Sequence, residues 1–265
     1  MEDAHIAKFN IDTDTHIFGV FDGHGGKQNR NRLFIKMKLG HEVAKFVTHH
    51  FIEELLKNSS YKSGDYSKAL TETFLRMDEL LRTSEGRREL AGIQSGNGGR
   101  GSDNAEADSF AGCTSVVALM VKDKLYVANS GDSRCILATK GDVVALTEDH
   151  KPDNKEEKDR IEKAGGEVYE GRINGRLNLS RAIGDFDYKG NDQLGLHEQL
   201  VIPHPEIQTR ALSSEDEFLI LGCDGIWECL PAKQIYEFVN TKVKNGKNLR
   251  EAIEALLDYI VAGDT

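Results

Sequence analysis

From Cys113 to Leu146 short apolar runs alternate with polar breaks of two or three residues. TSVVALMV, KLYVAN, RCILAT and DVVALT are separated by Lys122-Asp123, Ser130-Gly131-Asp132 and Lys140-Gly141. Runs of this length, bounded by turn formers, predict a meander of antiparallel strands. Two more apolar runs, His16–Phe21 (HIFGVF) and Glu217–Gly222 (EFLILG), predict strands that each lead into an Asp-Gly step. Elsewhere the period changes to that of a helix. Val43, Phe46, Val47, Phe51, Leu55 and Leu56 lie on one face of a helix predicted over 42–57. Leu70, Phe74, Met77, Leu80 and Leu81 do the same from Tyr66 to about Thr83. A charged helix is predicted over 154–164, with Asn154 as its N-cap and Gly165-Gly166 as its stop. Two more helices, Ala232–Lys242 and Asn248–Val261, close the chain.

Runs of strands and runs of helices follow one another without a βαβ rhythm, which predicts an α+β fold. The 265 residues suit one large domain, and a hydrophobic content of 38% supplies its core. No linker or internal repeat divides the chain. The stretch from Gln94 to Phe110, rich in Gly, Ser, Asn and Asp, reads as a mobile loop, since it lacks the strand and the G-K-[ST] of a phosphate-binding loop. The segment Glu167–Gln199 is polar and irregular.

The formal charge of −10 argues against general nucleic-acid binding, which calls for a basic face. Cys113, Cys135, Cys223 and Cys229 form no C-x-x-C pair, and a reducing compartment suits them best. No apolar run reaches membrane-spanning length, and Met1 is followed by Glu2-Asp3 rather than by a basic leader. These features predict a cytoplasmic or nuclear monomer without nucleic-acid or membrane partners.

The chemistry is carried by carboxylates at strand ends. Asp22 follows FGVF, Asp132 follows YVANSG and Asp224 follows FLILGC; Glu2-Asp3 and Asp185, in SRAIGD, add to them. One Asp-Gly step is ordinary turn chemistry. Several at the ends of neighbouring strands would gather carboxylates at one edge, where they repel and call for a counter-charge. Oxygen donors with few His and no paired Cys favour Mg²⁺ or Mn²⁺ over Zn²⁺. Two such ions make a hydrolytic centre for phosphate esters, with a metal-bound water as nucleophile. His24, beside Asp22 and before Gly25-Gly26, is placed to protonate the leaving alkoxide.

Seven segments, in order, resemble the metal-dependent type 2C serine/threonine protein phosphatases: MEDAH (from Met1), FGVFDGHGG (Phe18), GCTSVVALM (Gly112), VANSGDSR (Val127), EDHKPDNKEEKDRIEKAGGEV (Glu148), SRAIGDFDYK (Ser180) and LGCDGIWE (Leu221). The resemblance implies an antiparallel β-sandwich flanked by helices on both sides, with two Mn²⁺ or Mg²⁺ ions at one edge. Carried over by position, Asp22 bridges both ions, the carbonyl of Gly23 binds one, Asp224 binds the other, and Glu2 acts through a metal-bound water. Asp132 and Glu228, with Asp224, form a weaker third site, and His24 is the general acid. Residues 167–199 become a flap that influences substrate choice, and phosphoproteins become the substrates. Thr114, Ser133 and Arg181 are expected to serve as structural support.

The chain departs from the family pattern in three places. No Arg precedes Met1 to hold the phosphate, nor a first strand before it. No Asp-Asn pair follows Asp224 to complete a metal site, and Asp264 is a poor substitute at the terminus. Between Lys27 and His41 lie five Lys or Arg and no Asp or Glu, an insertion of about fourteen residues where connections of about 2–6 are usual. It reads as a solvated loop; the alternative is a basic lip that steers acidic phosphosubstrates. The leading expectation is hydrolysis of phosphoserine and phosphothreonine in proteins. A truncated or non-catalytic member that binds phosphoproteins or a regulator is the alternative, and a metal-dependent nuclease is a remote third.

Overall fold

A computed structural model describes residues 2–25, 40–95 and 111–263. The stretch expected to be a loop lies outside them from residue 96 to 110, as do residues 26–39 of the basic run, and Asp264. In chain order the strands are β1 (Ala4–Asp12), β2 (Thr15–Phe21), β3 (Gly23–Gly25), β4 (Ala111–Cys113), β5 (Ser115–Val121), β6 (Lys124–Ser130), β7 (Arg134–Thr139), β8 (Asp142–Ala145), β9 (Val168–Tyr169), β10 (Arg172–Ile173), β11 (Ile183–Gly184), β12 (Glu206–Ala211) and β13 (Asp216–Gly222). The helices are α1 (His41–Lys57), α2 (Ser59–Lys62), α3 (Tyr66–Arg82), α4 (Ser84–Ser95), α5 (Lys155–Lys163), α6 (Asp224–Trp227), α7 (Ala232–Lys244) and α8 (Leu249–Gly263).

One sheet has the order β1-β2-β5-β6-β12 and a second the order β13-β7-β8, all antiparallel. Successive side chains on a strand face opposite ways, and the buried residues divide accordingly. Val116 and Ala118 of β5 pack with Cys135 and Leu137 of β7 in a core between the two sheets. Val117 and Leu119, one position along, face a second core built with Val43, Phe46, Phe51, Leu70 and Phe74 of α1 and α3. Ile136 of β7 and Ile220 of β13 turn the other way, onto Ile235, Val239 and Leu256 of α7 and α8. The result is a four-layered sandwich, helices–sheet–sheet–helices, matching the expected antiparallel sandwich with helices on both sides. Strand β5 reads as a continuous apolar run because both of its faces are covered.

The predicted helices and meander strands are present to within a few residues. Asn154 stands at the N-cap of α5, but its side chain does not cap the helix. Its amide Nδ2 donates instead to the Asp149 carbonyl at 2.7 Å.

Candidate metal centre and acid

The carboxylates converge because of where strands stop. Asp22 follows β2, and its carbonyl accepts from Thr114 N at 2.9 Å, tying the turn to the start of β5. Beyond it β3 pairs with β4, placing Gly23 opposite Cys113 and His24 opposite Gly112. This turn lies against the start of α1 so closely that a Cβ on Gly23 would come within 2.3 Å of the Gly40 carbonyl oxygen. A Cβ on Gly40, whose φ is +102°, would lie 2.2 Å from His24 N. Glycine at both positions is therefore a packing requirement.

Asp224 opens α6 directly after β13, and the Trp227 indole donates to the Gly222 carbonyl at 2.8 Å, folding the helix back onto the strand that delivers it. Asp132 sits where the chain passes from one sheet to the other, between β6 and β7, and is buried. Lys151 forms an ion pair with it. Of the residues expected to serve as support, Thr114 and Ser133 share a hydroxyl hydrogen bond of 2.7 Å, and Arg181 is bound by Glu157 at 2.6 Å.

Asp3, Asp22 and Cys223 each offer an atom within 4.8 Å of the others. Burial first, and then the charges of Asp3 and Asp224, push the Asp22 carboxyl up to about 7 against the opposing pull of His24. Burial likewise raises Asp132, with a contribution from Asp224, although Lys151 opposes it. Burial pushes the Cys223 thiol far above its usual range, so it presents a neutral S–H at neutral pH. For His24, burial disfavours charge, but Asp185, assisted by Asp22 and Asp132, outweighs it and raises the imidazole.

Asp22, Asp132, Asp224 and His24 are thus brought together, with Gly23 at the turn between two of them. Glu2 is exposed, and its neighbour Asp3 is the residue that reaches Asp22. Glu228 is also exposed, and its charge bears on Arg134, which is held by Asp149 at 2.6 and 2.8 Å. Asp185 joins Asp22, Asp132, Asp224 and His24: its Oδ2 lies 2.6 Å from His24 Nε2. Sequence offered only its place in a run of strand-end carboxylates.

The Protein phosphatase 2C family model matches residues 1–265. The chain belongs to the protein phosphatase 2C family. Its relatives include Protein phosphatase 2C 1 of Paramecium tetraurelia, 46% identical over 269 residues, which span 100% of this chain and 82% of that protein. Probable protein phosphatase 2C 21 of Arabidopsis thaliana is 38% identical over 292 residues, 100% of this chain and 78% of the relative. In fold it is similar to the crystal structure of a serine-threonine phosphatase 2C from Toxoplasma gondii, with a TM-score of 0.73 and 20% identity across 100% of this chain and 86% of the other. Protein phosphatase 2C enzymes are metal-dependent protein phosphatases, and this chain carries their fold. No helix among the described residues is long and apolar enough to cross a membrane.

Proposed function

We propose that this chain hydrolyses phosphoserine and phosphothreonine esters in proteins with Mn²⁺ or Mg²⁺ as cofactor. The observation that carries the reading is the meeting of Asp22 with Asp3 at the end of β2, beside the partly buried His24; burial and the charges of Asp3 and Asp224 push the Asp22 carboxyl up to about 7. An arrangement that favours a proton on Asp22 at neutral pH also favours a divalent cation in its place. The donor set fits such an ion: Asp3 and Asp22 offer carboxylate oxygens, which suit a hard cation, beside the single thiol of Cys223.

Asp22 and Asp224 would hold the ions with the Gly23 carbonyl, Asp3 or Glu2 would support them from β1, and Asp132 with Glu228 would offer a weaker third position. When bound, the cations neutralise the phosphate and favour water as the nucleophile. The protein does the rest. The Asp22 turn orients the phosphate against His24, and His24 donates a proton to the seryl or threonyl oxygen as its bond to phosphorus breaks. Residues 167–199 act as the flap: Asp185 within that segment touches the proposed acid, so substrate contacts to the flap bear on the acid directly.

The test is phosphate release from a phosphothreonine peptide with added Mn²⁺, with and without EDTA, beside Asp22→Ala and Asp224→Ala. Metal-dependent turnover lost in both variants supports the reading. Binding of the peptide without turnover would instead support a non-catalytic phosphoprotein-binding role.

A further inference from the structure

We infer that Asp185 is the positioning residue for His24 and commits its imidazole to donate through Nδ1. The inference rests on the acid role proposed for His24 above. The two residues are 161 positions apart in sequence, yet Nε2 and Oδ2 lie 2.6 Å apart. His24 lies on β3 and Asp185 directly follows β11, the two outer strands of one small sheet ordered β11-β4-β3. Gly112 on the middle strand pairs with His24 on one side and Gly184 on the other. A Cβ there would lie 2.5 Å from Asp185 Oδ2 and 2.9 Å from His24 Nε2. The contact is therefore made over the middle strand, in the space that a side chain would fill.

The backbone is bent to deliver it. Gly184 and Asp185 have φ of 86° and 51°, two successive left-handed residues that turn the carboxylate inward. Asp tolerates this region better than most residues, but the conformation persists only where its surroundings hold it. Those surroundings are an ion pair. Asp78 of α3 accepts from Gly184 N at 2.8 Å and from Lys189 Nζ at 2.7 Å, and Lys189 also donates to the Ala182 carbonyl at 2.8 Å. Both side chains are buried. One carboxylate thus clamps the chain on either side of Asp185. Buried ion pairs are poor sources of stability, and their best-supported use is to specify one arrangement. The arrangement specified here is Asp185 aimed at His24.

A carboxylate oxygen is the acceptor of an imidazole N–H, so Oδ2 takes Nε2–H. That leaves Nδ1, a buried atom without a hydrogen-bond partner among the described residues. In the reaction the ester P–O bond breaks with its electron pair passing to the side-chain oxygen. The proton on Nδ1 moves to that oxygen. A water that has lost one proton to solvent supplies the oxygen that bonds to phosphorus. The ring is left neutral, with Nε2–H still on Asp185, and regains its proton from solvent before the next cycle.

Two measurements on the full chain test this. In the metal-free protein labelled with ¹⁵N-histidine, His24 should carry its proton on Nε2 in its neutral form, and Asp185→Ala should abolish that preference. An unprotonated Nε2 in the wild type overturns the inference. The second is a double-mutant cycle with His24→Gln. Asp185→Ala should lower kcat on a phosphothreonine peptide by about 10²-fold, the lower end of the range for a general acid. The loss should be at least about ten times smaller on p-nitrophenyl phosphate, whose leaving group needs little protonation. KM and Mn²⁺ affinity should hold, and Asp185→Ala should add less than about threefold in the His24→Gln background, as expected for residues acting as a unit. Equal losses on both substrates, or additive effects, overturn it. If His24→Gln itself shows no leaving-group dependence, the acid assignment fails instead. Where Asp185→Ala does not melt cooperatively, Asp185→Asn enters the same cycle with the same criteria.

Discussion

Replacing Gly112 by alanine adds one methyl group to the middle strand between His24 and Asp185. Gly112 does not have a left-handed backbone, so alanine meets no conformational strain there. Its Cβ would meet Asp185 Oδ2 at 2.5 Å, Cγ at 2.6 Å and His24 Nε2 at 2.9 Å. Carbon and oxygen in ordinary contact are separated by about 3.5 Å, so the carboxylate must withdraw by about 1 Å. A hydrogen bond of 2.6 Å then opens beyond bonding range. Hydrogen bonds to charged groups contribute about 1.5–3 kcal/mol, which at 1.36 kcal/mol per decade is about 10- to 150-fold. That loss should fall on kcat for a phosphothreonine peptide, because the interaction positions the acid rather than the substrate. The fold should lose only about 1–3 kcal/mol, the cost of leaving the buried Asp185 carboxylate without its partner. The assay pairs steady-state kinetics with urea denaturation. A Gly112→Ala protein that folds and turns over within about threefold of wild type would refute the geometric argument.

Other consequences can be measured directly. Lys189→Met leaves the buried Asp78 carboxylate without its counter-charge and should cost about 3–5 kcal/mol in urea denaturation. Asp78→Leu combined with Lys189→Met should cost less than that single change, because burial already pushes the Lys189 ammonium pKa down despite the attraction of Asp78. His150 is held at about 4, mainly by burial and secondarily by Arg181. Its ordinary value is about 6.5, so the unfolded chain binds the proton first and this group's contribution is lost as pH falls from 6.5 to 4. The loss is on the order of 3 kcal/mol, and His150→Gln should flatten that limb of the denaturation profile. Mn²⁺ at about a hundred times its Kd should stabilise the fold by about 2.7 kcal/mol, read as a thermal shift, and Asp22→Ala should abolish it. Because the Asp22 proton competes, Mn²⁺ affinity should fall by up to about tenfold per pH unit below about 7.

The two sheets and the larger helices were legible because their periods are strong. Strand β5 is apolar at successive positions, and α3 presents Leu70, Phe74, Met77 and Leu81 on one face. The elements missed are those whose sequence carries little period. Strand β1 is an edge strand that buries only Ile6, and β12 is an edge strand with no fully buried side chain. Helix α4 is largely polar, and β3, β4 and β11 are runs of two or three residues, rich in glycine, that exist through one another's hydrogen bonds. The site divides in the same way. Asp22, Asp132 and Asp224 could be read because each closes a strand. The approach of Asp3 to Asp22 could not be read, because nothing in two adjacent acids says which one faces the strand end. The pairing of Asp185 with His24 depends on a three-strand sheet assembled from distant segments, which no local pattern encodes.

The most direct measurement is phosphate release from a phosphothreonine peptide by the purified chain. Turnover should require Mn²⁺ or Mg²⁺, stop with EDTA and be lost in Asp22→Ala. Turnover that persists undiminished in EDTA or in Asp22→Ala would contradict metal-dependent hydrolysis at Asp22.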